Sequence, residues 1–273
     1  MTTAFRSEGF GELLRHWRRR EHYSQEALAL EAGISQRHLS CLESNRASPS
    51  REMVLHLCNV LDVPLRERNL LLTTAGFAAA YAHGSLDGPE LAAVSRAVDL
   101  MLDGLSPCPA LALDRDWNLV RANDAALRTF GAFVDLAVAL PRVDPVDGAN
   151  VLKLMFHPEG LRPAIQNWVR TAPLLLERIR REVVADPAWQ RGPDLLAELG
   201  ELAGVDPRVK AFPEASDPVM TLRLQKGDTR LALFSTIATF GTAQDVTVQE
   251  LRVETFFPAD EASRTVLAEL AGS

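Results

Sequence analysis

Cysteine is scarce in this chain. Cys41, Cys58 and Cys108 are odd in number and lie far apart, so they form neither a disulfide framework nor a zinc motif. They read as two small core residues and one on a helix surface. The six histidines, His16, His22, His38, His56, His83 and His157, show no H-x-x-x-H pairing, and no metal site is expected. Long apolar runs are also missing. No stretch approaches about eighteen uninterrupted apolar residues, the length a membrane-spanning helix needs. The opening residues, MTTAFRSEGF, lack the basic start and apolar run of a signal peptide. A cytoplasmic, nucleoid-associated protein is expected. The patterns G-x-x-x-x-G-K-S/T, G-x-S-x-G and C-x-x-C are absent. Gly9-Phe10-Gly11 follows no strand, so it is not a dinucleotide loop. Neither catalytic residues nor a cofactor are expected.

Positive charge is in short supply overall, with a net of −7, which looks wrong for a nucleic-acid binder until the chain is divided. Residues 1–51 hold eight Arg and six Glu, a net of +2; the remainder holds 21 basic and 30 acidic residues, a net of −9. The acidic bulk suppresses non-specific association. Arg15, Arg18, Arg19, Arg20, Arg37, Arg46 and Arg51 cluster near one another in the first part. At 273 residues, 47% hydrophobic and 24% charged, the chain has room for two domains with real cores.

What is present is most informative between Gln25 and Ser44, QEALALEAGISQRHLSCLES. Leu28, Ala32, Ile34, Leu39 and Leu42 supply the apolar positions of two short helices. Ala29 is small where the helices should cross. Gly33 falls where a tight turn requires positive φ, which glycine adopts freely. Ser35 suits the N-cap of the second helix. That helix then presents Gln36, Arg37, Ser40 and Cys41 outward, a face suited to a major groove. Phe10 to Arg20 reads as an amphipathic first helix, with Leu14 and Trp17 on one face, and Tyr23 and Ser24 precede the next. Asn45 to Ser50 is a turn, followed by Met53, Val54, Leu57 and Leu61 at helical spacing. This set resembles the Xre family of bacterial regulators over roughly Phe10 to Val63. The resemblance implies double-stranded DNA as a partner, with Gln25 touching phosphate and Gln36, Arg37 and Cys41 facing base edges. Arg46 is expected on a phosphate as well. Cys41 departs from the longer polar residues common at its position. The resemblance also implies an ion pair between Arg18 and Glu43. Binding as a homodimer to half-sites about 34 Å apart is the expected remedy for the weakness of one copy.

Leu65 to Ala82 reads as a further helix. His83 to Gly88 is turn-rich, and Pro89 suits the first position of a helix continued by Leu91, Val94, Val98, Met101, Leu102 and Leu105. The period then becomes that of strands. Pro109–Asp114 and Trp117–Arg121 flank a turn, and Asn123 opens a short helix. Leu161, Ile165, Trp168, Val169, Ala172, Leu176, Ile179 and Val183 follow one long helical face, and Pro193–Ala203 another. Met220–Gln225, Arg230–Ile237 and Val246–Phe257 read as strands, the last with a slip of phase at Gln249-Glu250 that predicts a bulge or an irregular edge. Asp260 caps a final helix. The expected class is α+β: an all-α helix-turn-helix domain at 1–83, a connecting helix at 84–106, and a PAS-like antiparallel sheet with flanking helices at 107–273.

The stretches PALALDRDWNLVRANDAAL, NVLKLMFHPEGLRPAIQNW and TLRLQKGDTRLALFSTIATFGTAQDVTVQELRVETFFPAD resemble the ligand-binding domain of MmyB-like transcription regulators. The resemblance implies a PAS-like pocket for a small hydrophobic ligand, with fatty acids the favoured class. Trp117, Phe156, Trp168, Phe234 and Phe240 are candidate walls. Arg162, Asn123 and Thr236 are candidate anchors, with Arg170, Arg178 and Arg223 as other available cations. Asn123 reads equally as the N-cap of the helix it opens. Two other readings stay open: a C-terminal domain that only dimerises or recruits a partner, and an enzyme with an accessory DNA-binding domain.

Overall fold

The computed structural model describes residues 9–144, 149–186, 189–205 and 218–272. The chain forms two compact units, Met1–Gly84 with Thr242–Gln249, and Ser85–Gly241 with Glu250–Ser273.

The first unit is built from α1 (Phe10–Arg20), α2 (Gln25–Glu31), α3 (Gln36–Glu43), α4 (Arg51–Val60) and α5 (Leu65–Thr74). Serine caps start three of these helices, the one at Ser35 as the sequence predicts. The hydroxyls of Ser24, Ser35 and Ser50 accept from the amides of Ala27, His38 and Met53, each satisfying a donor the helix cannot. Gly33 holds φ +63 between α2 and α3. Gly11 has a different purpose. A Cβ there would lie 2.5 Å from the Leu42 carbonyl oxygen, so α1 can meet the end of α3 only through a glycine. Leu13, Leu14, Trp17, Leu28, Leu39, Leu42, Val54, Leu57 and Leu72 form the shared core. Cys58 is buried in it, and burial pushes its thiol up to about 12 despite Arg68 nearby. The expected helix at Leu65–Ala82 stops at Thr74, and Gly76 with φ +88 turns the chain away.

The second unit opens with α6 (Ala92–Gly104), then β1 (Ala110–Leu113), β2 (Leu119–Ala122), α7 (Asp124–Phe133), α8 (Leu136–Val143), α9 (Val151–Phe156), α10 (Trp168–Ala185) and α11 (Gly192–Ala203). It continues with β3 (Leu222–Lys226), β4 (Thr229–Thr239), β5 (Arg252–Pro258) and α13 (Glu261–Gly272), and the short α12 (Val246–Glu250) between β4 and β5 lies mostly in the first unit. The strands make an antiparallel sheet in the order β2-β1-β5-β4-β3. The fold is thus mixed α+β, with the sheet interrupted by the helical insertion the sequence predicts.

The sheet is covered on both faces. Leu111, Leu113, Leu222, Leu224, Leu231, Leu233 and Phe256 face the core shared with α7 to α11. Ala110, Ala112, Leu251 and Val253 face Val98 and Leu102 of α6, so the expected connecting helix is part of the second unit's own packing. Two elements differ from their sequence reading. The long helix begins only at Trp168, because a 3₁₀ turn at Arg162–Ala164 and a bridge between Ile165 and Leu224 intervene. Val246–Glu250 is a helical turn, not the start of a strand. Asp245 causes it: its Oδ1 accepts from the amides of Thr247 and Val248, the local bonding that favours a helix start. The apparent slip of phase at Gln249-Glu250 is therefore a change from helix to strand.

Candidate functional site

Four of the expected DNA-reading residues share one face of α3. Gln36 and Arg37 are exposed, Ser40 and Cys41 half-buried, at offsets that place 36, 37, 40 and 41 side by side on a helix. Arg46 lies in the turn beyond α3, exposed, its Nε donating to Ser44 Oγ at 3.0 Å. Gln25 is different. Its Nε2 donates to Glu43 Oε2 at 2.8 Å, so its side chain locks α2 to α3.

Glu43 is the hub of this region. Its side chain is fully buried, and Arg18 meets it with Nε at 2.5 Å and Nη2 at 3.0 Å. Arg15 adds Nε at 3.4 Å and donates to the Glu43 carbonyl at 2.9 Å. Burial would raise the Glu43 carboxyl, but the hydrogen bonds from Arg18, Gln25 and Arg15 outweigh it and hold it below the usual carboxylate range. The expected Arg18–Glu43 pair is therefore present. It also takes Arg18 and Arg15 out of the cationic cluster and leaves Arg19, Arg37, Arg46 and Arg51 as exposed charges. An open groove of about 360 Å³ on α1 is lined by Glu12, Arg15, His16, Arg19 and Arg20. It lacks the apolar walls of a small-molecule site.

The second unit holds a more enclosed cavity between α10 and the sheet. Met155, Leu175, Met220, Leu222, Leu233 and Phe256 wall it, and Arg178, Ser235 and Glu254 form its polar end. Its volume is about 20 Å³, room for about one water. Behind the polar end the charges are interlocked. Ser235 Oγ donates to Glu254 Oε1 at 2.7 Å, and Arg178 reaches the same oxygen at 3.5 Å and Glu182 at 3.4 Å. Arg252 donates to Glu182 Oε2 at 2.7 Å. The Arg178 and Arg252 guanidinium groups lie 4.6 and 4.9 Å from the centroid of the Trp117 ring, close enough for cation–π attraction. Trp117 Nε1 donates to Glu182 at 3.2 Å. Trp117 also holds φ +67 in the β1–β2 turn, a conformation costing about 1–2 kcal/mol for a residue with a side chain. The strain sits beside the cavity's polar end, where such outliers cluster in functional sites.

The expected ligand residues divide accordingly. Phe156 is buried and meets Trp168 edge-on at 5.1 Å; both belong to the core of the second unit, as does Trp117, and none of the three lines the cavity. Asn123 is the N-cap of α7. Its Oδ1 accepts from Ala126 and Ala110, and its Nδ2 donates to the carbonyls of Leu102 and Cys108. Those bonds use its hydrogen-bonding capacity, so it is not the ligand anchor. Arg162 donates to the Leu202 carbonyl and stacks on Trp168, away from the cavity. Phe234, Thr236 and Phe240 also lie elsewhere. Leu233 and Ser235 point into the cavity, so Phe234 and Thr236 point to the opposite face. There Phe234 stacks on Phe257 at 5.7 Å, and Phe240 packs with the α6 cluster. Sequence reasoning chose Thr236 over its neighbour Ser235 and passed over Glu254. The usable signal was the alternation Leu231, Leu233, which puts Ser235 on the buried face.

Two family models match this chain. The MmyB-like transcription regulator ligand binding domain matches residues 94–270 and a helix-turn-helix domain matches residues 10–71. No curated protein matches. A solved structure, that of an RNA-binding Light-Oxygen-Voltage receptor, aligns over 95% of this chain at 11% identity and a TM-score of 0.29. The chain spans 61% of that structure's length.

Proposed function

The chain belongs to the MmyB-like transcription regulators, and from that membership and the cavity we propose a DNA-binding regulator controlled by a small hydrophobic effector with a long aliphatic chain. The observation that carries the reading is the cavity under α10, with apolar walls converging on three polar groups, Arg178, Ser235 and Glu254, the composition of a small-molecule site. At about 20 Å³ the cavity must widen to take a chain. Met155 and Met220 are in its walls, and unbranched, polarisable methionines repack readily. An apolar chain entering there parts α10 from β3, β4 and β5 and stabilises the opened state. The regulator works on DNA as a homodimer in the cytoplasm, with Gln36 and Arg37 reading bases and Arg46 holding phosphate. It has no catalytic role.

The path from effector to DNA follows the chain itself. β4 and β5 carry Leu233, Ser235, Glu254 and Phe256 of the cavity. The segment joining those two strands, Thr242–Gln249, packs as part of the DNA-binding unit. Gln249 Oε1 accepts from the Leu65 amide at 2.7 Å, capping the start of α5. Thr247 Oγ1 donates to the Gly84 carbonyl at 2.6 Å, and the Val246 amide to that of Ala82 at 2.9 Å. A shift of β4 against β5 therefore acts on α5 through covalent structure.

Operator binding by delipidated protein, titrated with saturated acids and alcohols of increasing length, tests the proposal. Each added methylene contributes about 0.8 kcal/mol until the opened cavity is full. DNA affinity changes in step only if the effector favours one state over another. If neither amphiphile binding nor DNA affinity depends on chain length, the effector reading fails and the dimerisation-only reading gains.

A further inference from the structure

We propose that the effector's head group is an uncharged hydrogen-bond donor, a hydroxyl or a primary amide, and that Glu254 selects it against a carboxylate. The inference rests on the reading of the α10 cavity as the effector site and adds the chemistry of the end that chain length does not probe.

The polar end is already neutral in charge. Two guanidinium groups, Arg178 and Arg252, face two carboxylates, Glu182 and Glu254, within one interlocked cluster. An incoming anion therefore finds no uncompensated cation. What it meets at the cavity surface is an excess of acceptors. The Glu254 side chain is 8% exposed, and its Oε1 takes the hydroxyl proton of Ser235 at 2.7 Å. That proton is thereby spent, and Ser235 offers the cavity only lone pairs. Glu254 Oε2 has no partner among the described residues. So two of the three polar groups lining the cavity are acceptors, one of them charged and nine-tenths buried. The third, Arg178, donates through Nε to Glu182 and through Nη1 to Glu254, and its Nη2 has no partner among the described residues.

A head group that completes this set donates to Glu254 Oε2 and accepts from Arg178 Nη2. A hydroxyl does both with one oxygen, and a primary amide with its N–H and its carbonyl. A carboxylate can satisfy Arg178 only by bringing its second oxygen against Glu254 and the lone pairs of Ser235. Like charges juxtaposed in a desolvated site repel strongly. An ester satisfies Arg178 and leaves Glu254 unpaired, with a desolvated acceptor's penalty. An ammonium satisfies Glu254 and adds a third cation beside Arg178 and Arg252.

Delipidated full-length protein, titrated calorimetrically at about pH 8, where a simple carboxylic acid is ionised, separates these cases with five ten-carbon probes: decanol, decanamide, decanoate, methyl decanoate and decylamine. Decanol and decanamide should bind at least about tenfold more tightly than decanoate or the ester, the margin of one misplaced buried polar group. Glu254→Gln, which replaces one acceptor oxygen by an N–H donor, should shrink the decanol-over-decanoate ratio by about the same tenfold. If that variant does not fold, the wild-type series decides alone. Decanoate or the methyl ester binding as well as decanol overturns the donor requirement while leaving the apolar-effector reading intact. Decylamine binding ahead of decanol overturns the uncharged head group. If none of the five binds, the cavity reading and the head-group inference fall together.

Discussion

Removing the Arg18 side chain should do more damage than removing any other arginine of the DNA-binding unit, and the reason is Glu43. The Glu43 side chain is fully buried and the Arg18 side chain 9% exposed. Arg18→Ala therefore strands a carboxylate in the core between α1, α2 and α3, leaving it Gln25 and the long contact from Arg15. Breaking a buried pair from one side costs about 3–5 kcal/mol. At the lower figure the melting temperature of a unit this size falls by about 12–24 °C. Arg15→Ala is the control. Its side chain is 40% exposed and its Nε sits 3.4 Å from Glu43, a geometry and exposure worth about 1 kcal/mol or less after solvent screening. Thermal melts of the single variants, Glu43→Ala and the Arg18→Ala/Glu43→Ala double variant close a cycle that isolates the pair. The pH dependence gives a second reading. Because the folded carboxyl of Glu43 lies below its ordinary value, its contribution is present in full above the unfolded pKa. It is lost as pH falls through the folded one. The wild-type protein should therefore lose more stability in acid than Glu43→Gln does. Equal melting temperatures for Arg18→Ala and Arg15→Ala, or a coupling energy near zero, refute the reasoning.

Two further outcomes follow from the site geometry. Arg37→Ala should reduce discrimination between operator and mismatched sequence by about 1–3 kcal/mol, while Arg46→Ala should weaken binding to all sequences alike and lower the salt slope by about one unit; competition assays over a salt series read both, and the reverse pattern assigns the roles the other way. Gln249→Ala removes the cap on the Leu65 amide and should leave effector affinity and operator affinity each within about twofold while shrinking the effect of one on the other; unchanged coupling in that variant removes the β4–β5 connection from the path.

The helical unit was readable from the sequence because its requirements are local. Ser24, Ser35 and Gly33 each answer to residues within four positions, so pattern and structure agree at single-residue resolution. Even the long-range pair of Arg18 and Glu43 could be expected, because its two positions belong to a family pattern. What the pattern could not show is where Arg15 and Gln25 spend their donors. Both look like surface groups available to phosphate, and both are turned inward by a carboxylate more than fifteen residues away.

The cavity was legible only in outline, and the reason lies in β4. In FSTIATFG the aromatic and hydroxyl residues attract attention as walls and anchors, so Phe234, Thr236 and Phe240 stood out. The strand's period says otherwise. Leu231 and Leu233 are buried, which fixes the odd positions on the cavity side and puts Ser235, not Thr236, at its polar end. A one-residue change of phase moves the whole set to the other face, where here another core, under α6, was waiting to take Phe240. Both faces of this sheet are apolar, so composition could not choose between them. Glu254 was hidden for a related reason. In the run Arg252-Val253-Glu254-Thr255 a charged residue reads as the solvent side of a half-buried strand, but β5 lies between β1 and β4 with both faces covered. A carboxylate there must be paired or must serve a ligand. Glu254 has a distant arginine and a serine on one oxygen and the cavity beside it, so the same sheet topology that concealed the residue from the sequence makes it the group on which effector selection turns.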